Sequence, residues 1–246
     1  VTGAGRGIGR AIALSLAKNG SNVCISSRTL ADIDSVAKNI KESFQGVRAF
    51  AVVSDVSDAA DAERLVRSAN DQLGSIDILV CAAGYPLREE LWEKHLHELS
   101  DEDLRMVFGV DVIGSFNVAK HVLPLMVNHG GGSIVLFSST PAIGGYDKGA
   151  PYTIAKAANV GLAKDIASEY GRYNIRCNIV APGNIKTDKT FDRLSSKEKT
   201  DLAMEAAMKR WGSSEEVADT VAVLASDSTS FVTGQTIVID GGTVML

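Results

Sequence analysis

The chain has 246 residues, 45% of them hydrophobic, which is enough for a sizeable core. Its formal net charge of -5 and pI near 5.4 give no electrostatic basis for binding nucleic acid or an anionic membrane. Cys24, Cys81 and Cys177 sit in separate apolar runs without CxxC spacing, no apolar run approaches the roughly 20 residues of a membrane span, and no signal-peptide order opens the chain, so a soluble cytoplasmic protein with reduced thiols is expected.

Residues 1–9 read Val-Thr-Gly-Ala-Gly-Arg-Gly-Ile-Gly and run into residues 10–18, where Ile12, Ala13, Leu16 and Ala17 recur at helical spacing. A glycine loop opening a helix lets backbone amides and the positive helix end approach a pyrophosphate. Such a loop emerges from a strand, and only Val1 precedes Thr2 and Gly3, so the earlier residues of a first strand are expected upstream of Val1.

Gly20 closes the helix, and residues 22–27 suit a second parallel strand. An NAD-binding fold commonly carries an acid about 20 residues past its glycines to hold the ribose 2′-hydroxyl. Here the strand ends in Ser27 and Arg28, which suit a 2′-phosphate, and Arg6 of the glycine loop is placed to add a second guanidinium, so NADP(H) is expected over NAD(H).

Residues 31–45 form an amphipathic helix, and 48–53 a third strand that ends at Ser54-Asp55-Val56-Ser57. Asp55 is placed to accept from an adenine amino group, while Ser57 or Asp58 is suited to cap the helix at 59–73. Gly74 ends that helix and residues 76–81 give a fourth strand, running into Ala82, Ala83 and Gly84. Residues 85–100 are polar and aperiodic, and the i,i+2 spacing of His95 and His97 points them to different helix faces, so no metal site is expected there. Asp101, Glu102 and Asp103 after Ser100 start a long helix to about residue 128.

Residues 133–137 form a fifth strand with Ser138 and Ser139 at its C-terminal end, the edge where open parallel sheets bind ligands. A loop at 141–151 leads to a helix carrying Tyr152 and, four residues on, Lys156. That spacing puts a phenol and an ammonium on one helix face, where the positive charge favours phenolate and the hydroxyl can exchange a proton with a substrate oxygen. A sixth strand at 176–181 precedes Pro182, Gly183, Ile185 and Thr187; a last helix capped by Ser213 and a seventh strand at 235–240 complete the chain. Residues 188–211 suit either a mobile lid over a substrate or an ordinary surface helix pair. Strand and helix alternate with short loops, which indicates an α/β fold built on one open, doubly wound parallel sheet spanning residues 1–246.

Taken together, Thr2-Gly3-x3-Gly7-x-Gly9, Asp55-Val56, Ala83-Gly84, Ser139, Tyr152-x3-Lys156, Pro182-Gly183-x-Ile185-x-Thr187 and Asp240-Gly-Gly242 resemble the motifs of the classical short-chain dehydrogenase/reductase family, in order and over essentially the whole length. The resemblance implies a single Rossmann-type domain with about seven strands, in a homotetramer or homodimer packed through the helices near 101–128 and 152–173. It implies hydride transfer between nicotinamide and a carbonyl carbon, with Tyr152 as proton donor or acceptor, Ser139 on the same oxygen, Lys156 beside Tyr152 and on the nicotinamide ribose, and Gly3, Gly7, Ile8, Gly9, Val56, Ala83, Gly84, Pro182, Gly183, Ile185 and Thr187 around the cofactor. Two departures stand out: Cys81-Ala82-Ala83-Gly84 replaces the family's Asn-Asn-Ala-Gly, and Asp111 takes the place of the family's catalytic Asn. Asp111 can still accept from a relay water, and its charge is expected to raise the apparent pKa of the Tyr152 and Lys156 pair or to slow the relay. The expected activity is NADPH-dependent reduction of a ketone, a 3-oxoacyl thioester in the manner of the 3-oxoacyl-acyl-carrier-protein reductases; the alternatives are an NAD(P)-dependent dehydrogenase of a sugar or secondary alcohol, and a dinucleotide sensor without turnover.

Overall fold

The computed structural model describes residues 1–86 and 88–245, the side chains of 188 and 189 excepted. Helix α1 (Gly7–Lys18) leads to strand β1 (Val23–Ser27), followed by α2 (Leu30–Ser43), β2 (Ala49–Val53), α3 (Ala59–Leu73) and β3 (Ile78–Cys81). Then come the short α4 (Glu89–Trp92), α5 (Asp101–Phe108), α6 (Gly114–His129), β4 (Gly132–Phe137), the short α7 (Pro141–Gly144), α8 (Ala150–Tyr170) and β5 (Ile175–Pro182). The chain finishes with β6 (Ile185–Lys186), α9 (Asp188–Phe191), α10 (Ser196–Glu205), β7 (Gly212–Ser213), α11 (Ser214–Ala225) and β8 (Thr236–Ile239).

All pairings in the main sheet are parallel: β2 lies beside β1, and β3, β4, β5 and β8 follow one another in that order. Thr2 joins the two blocks, bridging Ser26 of β1 and Cys81 of β3, with its N–H donating to the Val80 carbonyl at 3.0 Å. The expected seven positions are therefore six strands and the Thr2 bridge, while β6 and β7 pair apart from them. Because successive strand residues face opposite sides, Val80, Val135, Phe137 and Val180 pack with α1, α2 and α11, whereas Leu79, Cys81, Ile134, Leu136, Cys177 and Ile179 pack with α3, α6 and α8. Two apolar layers on one twisted sheet hold every strand's C-terminal end at the same edge.

Helix starts follow their local chemistry. Asp58, not Ser57, caps α3 by accepting from the Asp61 N–H, and Ser100 with Asp103 and Ser213 with Glu216 form reciprocal capping boxes. Arg176, inside β5, donates to the carbonyls of Leu224 at 2.9 Å and Ser226 at 3.0 Å, closing the C-terminal end of α11.

Several expectations are corrected. The long helix is interrupted by a π turn, Gly109–Ile113, and carries Pro124. That continuous stretch, Asp101–His129, is long and apolar enough to cross a membrane by length and composition, against the expectation that no run approaches a span; its most apolar 18 residues have a mean hydropathy of 1.3 and are 50% buried. His95 and His97 do not point apart: His95 precedes and His97 lies within a 3-10 turn, Leu96–Glu98, with extended backbone at His95, and their rings stack 5.8 Å apart at 8°. Among the described residues no group of side chains is placed to hold a metal ion. The loop at 141–151 contains α7, and α8 begins at Ala150.

Candidate active site

The glycine loop is shaped by close approach. A Cβ on Gly9 would stand 2.4 Å from the Gly3 carbonyl oxygen, and one on Gly3, at φ +65, would stand 2.6 Å from the Ala83 Cα. The loop therefore presses against the chain leaving β3, where the Ala83 N–H donates to the Thr2 hydroxyl at 3.2 Å. Arg6 occupies the N-cap of α1 with extended backbone and no side-chain cap, and no acid lies in the first turn, so the amides of Gly7, Ile8 and Gly9 open a helix end suited to an anion. Gly7 faces Thr187: a Cβ there would meet the Thr187 Cγ2 at 3.6 Å. This bare-backbone cradle fits a dinucleotide pyrophosphate.

Ser27 and Arg28 lie at the β1 tip as expected, and Arg6 and Arg28 are exposed. Two carboxylates share this corner. Asp32, unremarked in the sequence, sits so that its Cβ is 2.8 Å from where a Gly5 Cβ would be, and Asp55 Oδ2 lies 3.8 Å from the Arg28 guanidinium. Asp55 Oδ1 is already engaged, accepting from the Ser57 N–H at 3.0 Å and its hydroxyl at 2.6 Å. Val56 is buried, and its carbonyl accepts from Asn117 at 3.0 Å while its side chain closes on Gly114.

Tyr152 and Lys156 fall within α8, and the ammonium lies 5.5 Å from the Tyr152 ring centroid. The π turn carries Asp111 in between the sheet edge and α8. Its Oδ1 is 2.8 Å from the Lys156 Nζ, with the two side chains 0% and 7% exposed. Oδ1 meets the ammonium off the line of a directed hydrogen bond and is held by charge, while Oδ2 accepts from the Tyr85 N–H at 2.6 Å. Burial opposes the Lys156 charge, but the Asp111 carboxylate and then Tyr152 outweigh it, and the ammonium holds its proton above the ordinary lysine range. A Cβ on Gly84 would stand 3.4 Å from Asp111 Oδ1 and 3.8 Å from Nζ, so this position keeps the chain close to the pair. Asn159, missed in the sequence, donates from one amide nitrogen to the Asp111 carbonyl at 3.0 Å and the Phe137 carbonyl at 3.1 Å, tying the π turn to the end of β4.

Ser139, 8% exposed, follows β4 and donates to the Pro182 carbonyl at 3.3 Å; Ser138 donates to the Lys156 carbonyl at 3.0 Å. These bonds bring the ends of β4 and β5 against the start of α8. Gly183 packs on Asp240, whose carboxylate accepts from the N–H groups of Gly242 and Val244 at 2.8 and 2.7 Å. Ile185 is buried, and Thr187 caps α9 by accepting from Thr190. Trp92, also unforeseen, stands edge-on to Tyr152 with centroids 5.9 Å apart and 5.8 Å from Tyr146. Its carbonyl accepts from the Gly149 N–H at 2.9 Å, and Glu93 pairs with Lys148 at 2.6 Å. Residues 89–93 are thus clasped to the loop before Tyr152.

Known proteins resemble the chain over nearly its whole length. A family model described as enoyl-(acyl carrier protein) reductase matches residues 3–244. The chain is 36% identical over 246 residues to a 3-oxoacyl-(acyl-carrier-protein) reductase FabG of Staphylococcus aureus, covering 100% of this chain and 97% of that protein. It is 35% identical over 252 residues to dehydrogenase/reductase SDR family member 4 of Sus scrofa, covering 99% and 85%. A short-chain type dehydrogenase/reductase from Mycobacterium ulcerans superposes with a TM-score of 0.92 at 30% identity, over 98% of this chain and 87% of that one. With a glycine cradle, a Tyr152 and Lys156 dyad and full-length relatives of one kind, the chain belongs to the short-chain dehydrogenase/reductase family and is an NAD(P)-dependent oxidoreductase acting on carbonyl and CH–OH groups.

Proposed function

We propose that the protein is an NADP(H)-dependent reductase of a ketone, with a 3-oxoacyl thioester as the substrate class, working as one cytoplasmic domain in which residues 188–211 close over the substrate. The observation that carries this reading is the bond from the Ser138 hydroxyl to the Lys156 carbonyl, which sets the end of β4 that leads to Ser139 against the α8 turn bearing Tyr152 and Lys156. Bound nicotinamide would supply the hydride to the carbonyl carbon or accept it in reverse. Gly3, Gly7, Ile8 and Gly9 would hold the pyrophosphate, Arg6, Ser27 and Arg28 the 2′-phosphate, Asp55 and Val56 the adenine, Ala83, Gly84 and Lys156 the nicotinamide ribose, and Pro182, Gly183, Ile185 and Thr187 the carboxamide.

In reduction Tyr152 gives its proton to the carbonyl oxygen as charge develops there, and the Ser139 hydroxyl turns from the Pro182 carbonyl to donate to the same oxygen. A positioned acid is typically worth about 10² to 10⁴ in rate, and a second donor aimed at a developing oxyanion about 10² to 10³. The 3-oxoacyl-(acyl-carrier-protein) reductase among the relatives supports a 3-oxoacyl thioester, and Trp92 beside Tyr152 adds an apolar wall suited to an acyl chain. The test follows nicotinamide absorbance with NADPH and NADH against a 3-oxoacyl thioester, simple ketones and, in the oxidative direction, sugars and secondary alcohols. NADPH-linked turnover of the thioester is expected, with Arg28→Ala lowering the NADPH preference about tenfold, as loss of one charge-assisted phosphate contact does. A preference for NADH would undo the role given to Arg28, and tight nucleotide binding without turnover would restore the sensor alternative.

A further inference from the structure

We propose that Asp111 is a positioning residue that cancels the charge of Lys156, so that Tyr152 faces a neutral ion pair and the site is set for carbonyl reduction. This rests on the catalytic reading of Tyr152 and Lys156 given above.

The geometry is specific. Asp111 Oδ1 lies 2.8 Å from Lys156 Nζ, and neither side chain is more than 7% exposed, so solvent screens the pair little. A π turn places the carboxylate there, Asn159 and the Ser115 hydroxyl hold its backbone carbonyl, and the Tyr85 N–H fixes Oδ2 at 2.6 Å. The other groups packed around the pair bring no countercharge: among the described residues Asp111 and Tyr152 are the titratable groups that act on Lys156. The Tyr85 phenol donates to the Met106 sulfur, away from the pair, and Trp92 next to Tyr152 is neutral.

An isolated ammonium one helical turn from a phenol favours phenolate, the form that takes a proton from an alcohol. An ammonium already balanced by a contacting carboxylate presents a dipole instead, and its effect on the phenol falls away with distance faster than that of a full charge. The site then holds the proton that carbonyl reduction consumes. Oxidation, which needs phenolate, is displaced to alkaline pH. Asp111 thus contacts Lys156 itself.

The test begins with protein free of nucleotide. The phenolate absorbance of Tyr152 is isolated by subtracting the titration of Tyr152→Phe from that of the wild type, and again in an Asp111→Asn background. Asp111→Asn is expected to move the midpoint down by at least about one pH unit, a tenfold change in proton affinity. The acid limb of alcohol oxidation should move down with it, raising the oxidation rate at neutral pH by up to about tenfold. The double variant Asp111→Asn/Lys156→Met removes both charges, which buried ion pairs commonly tolerate. It should titrate within a few tenths of a unit of the wild type, and it provides the measurement if the single variant fails to fold. An unmoved midpoint in Asp111→Asn, or a double variant displaced upward by a full unit, would overturn the proposal. A shifted titration in a protein that reduces no carbonyl would support the ion-pair assignment and overturn the reductase reading.

Discussion

At the scale of residues, function here depends on how few groups share one buried corner. Asn159 is 1% exposed and spends one amide nitrogen on the carbonyls of Asp111 and Phe137, so it sets how the π turn sits against β4. Asn159→Ala leaves two buried carbonyls without that donor and should cost about 1–3 kcal/mol of stability, measured by urea unfolding. It should also lower kcat by displacing Asp111 and Lys156. Tyr152, Lys156 and Ser139 were legible because their spacing and strand-end position carry chemistry. Asp111 was legible as a substitution, but its direct contact with Lys156 was not, because a 2.8 Å approach depends on how α8 and the π turn are packed. Asn159 and Asp32 gave no signal, since a buried amide and a helix-start acid look ordinary in a sequence.

At the scale of elements, helix starts were the most readable feature, because Asp58, Ser100 and Ser213 act within four residues of themselves. The π turn and the clasp of residues 89–93 were not readable, because both answer to distant partners. Gly149 shows why. Its φ of +66 suits glycine, and a Cβ on it would stand 2.3 Å from the Trp92 ring. Gly149→Ala should therefore cost about 1–3 kcal/mol and push Trp92 off Tyr152. A fall in kcat/KM for long acyl substrates, larger than that for small ketones, is the expected outcome in steady-state kinetics. Trp92→Ala in the same chain should relieve the clash, so the double variant should be more stable than the sum of its single changes predicts. Strict additivity would show that the two residues do not meet.

At the scale of the whole molecule, the parallel sheet was legible because strands alternate with helices through short loops, whereas the order of the strands and the side on which each helix packs follow only from the fold. What the alternation did not convey is the outer face of the long helix. Ile113 is 46% exposed and Phe116 47%, three residues apart on one face, with Ile154 of α8 42% exposed. Ile113 belongs to the same π turn that aims Asp111 inward, so whatever covers this face also steadies the corner holding Lys156. A second copy of the chain is the cover we expect, through a two-fold contact in which each side chain counts twice. Burying one Phe contributes about 1.5–3 kcal/mol, so Phe116→Asp, applied on both sides of the axis, should weaken assembly roughly 10²- to 10⁴-fold. Light scattering across a dilution series would show the variant dissociating at concentrations where the wild type stays assembled. If the face serves the site as well, the dissociated variant should lose activity in step with its assembly and regain it at high concentration. Full activity in a dissociated protein would separate the two roles and leave the π turn held from within, by Asn159, Ser115, Tyr85 and Lys156.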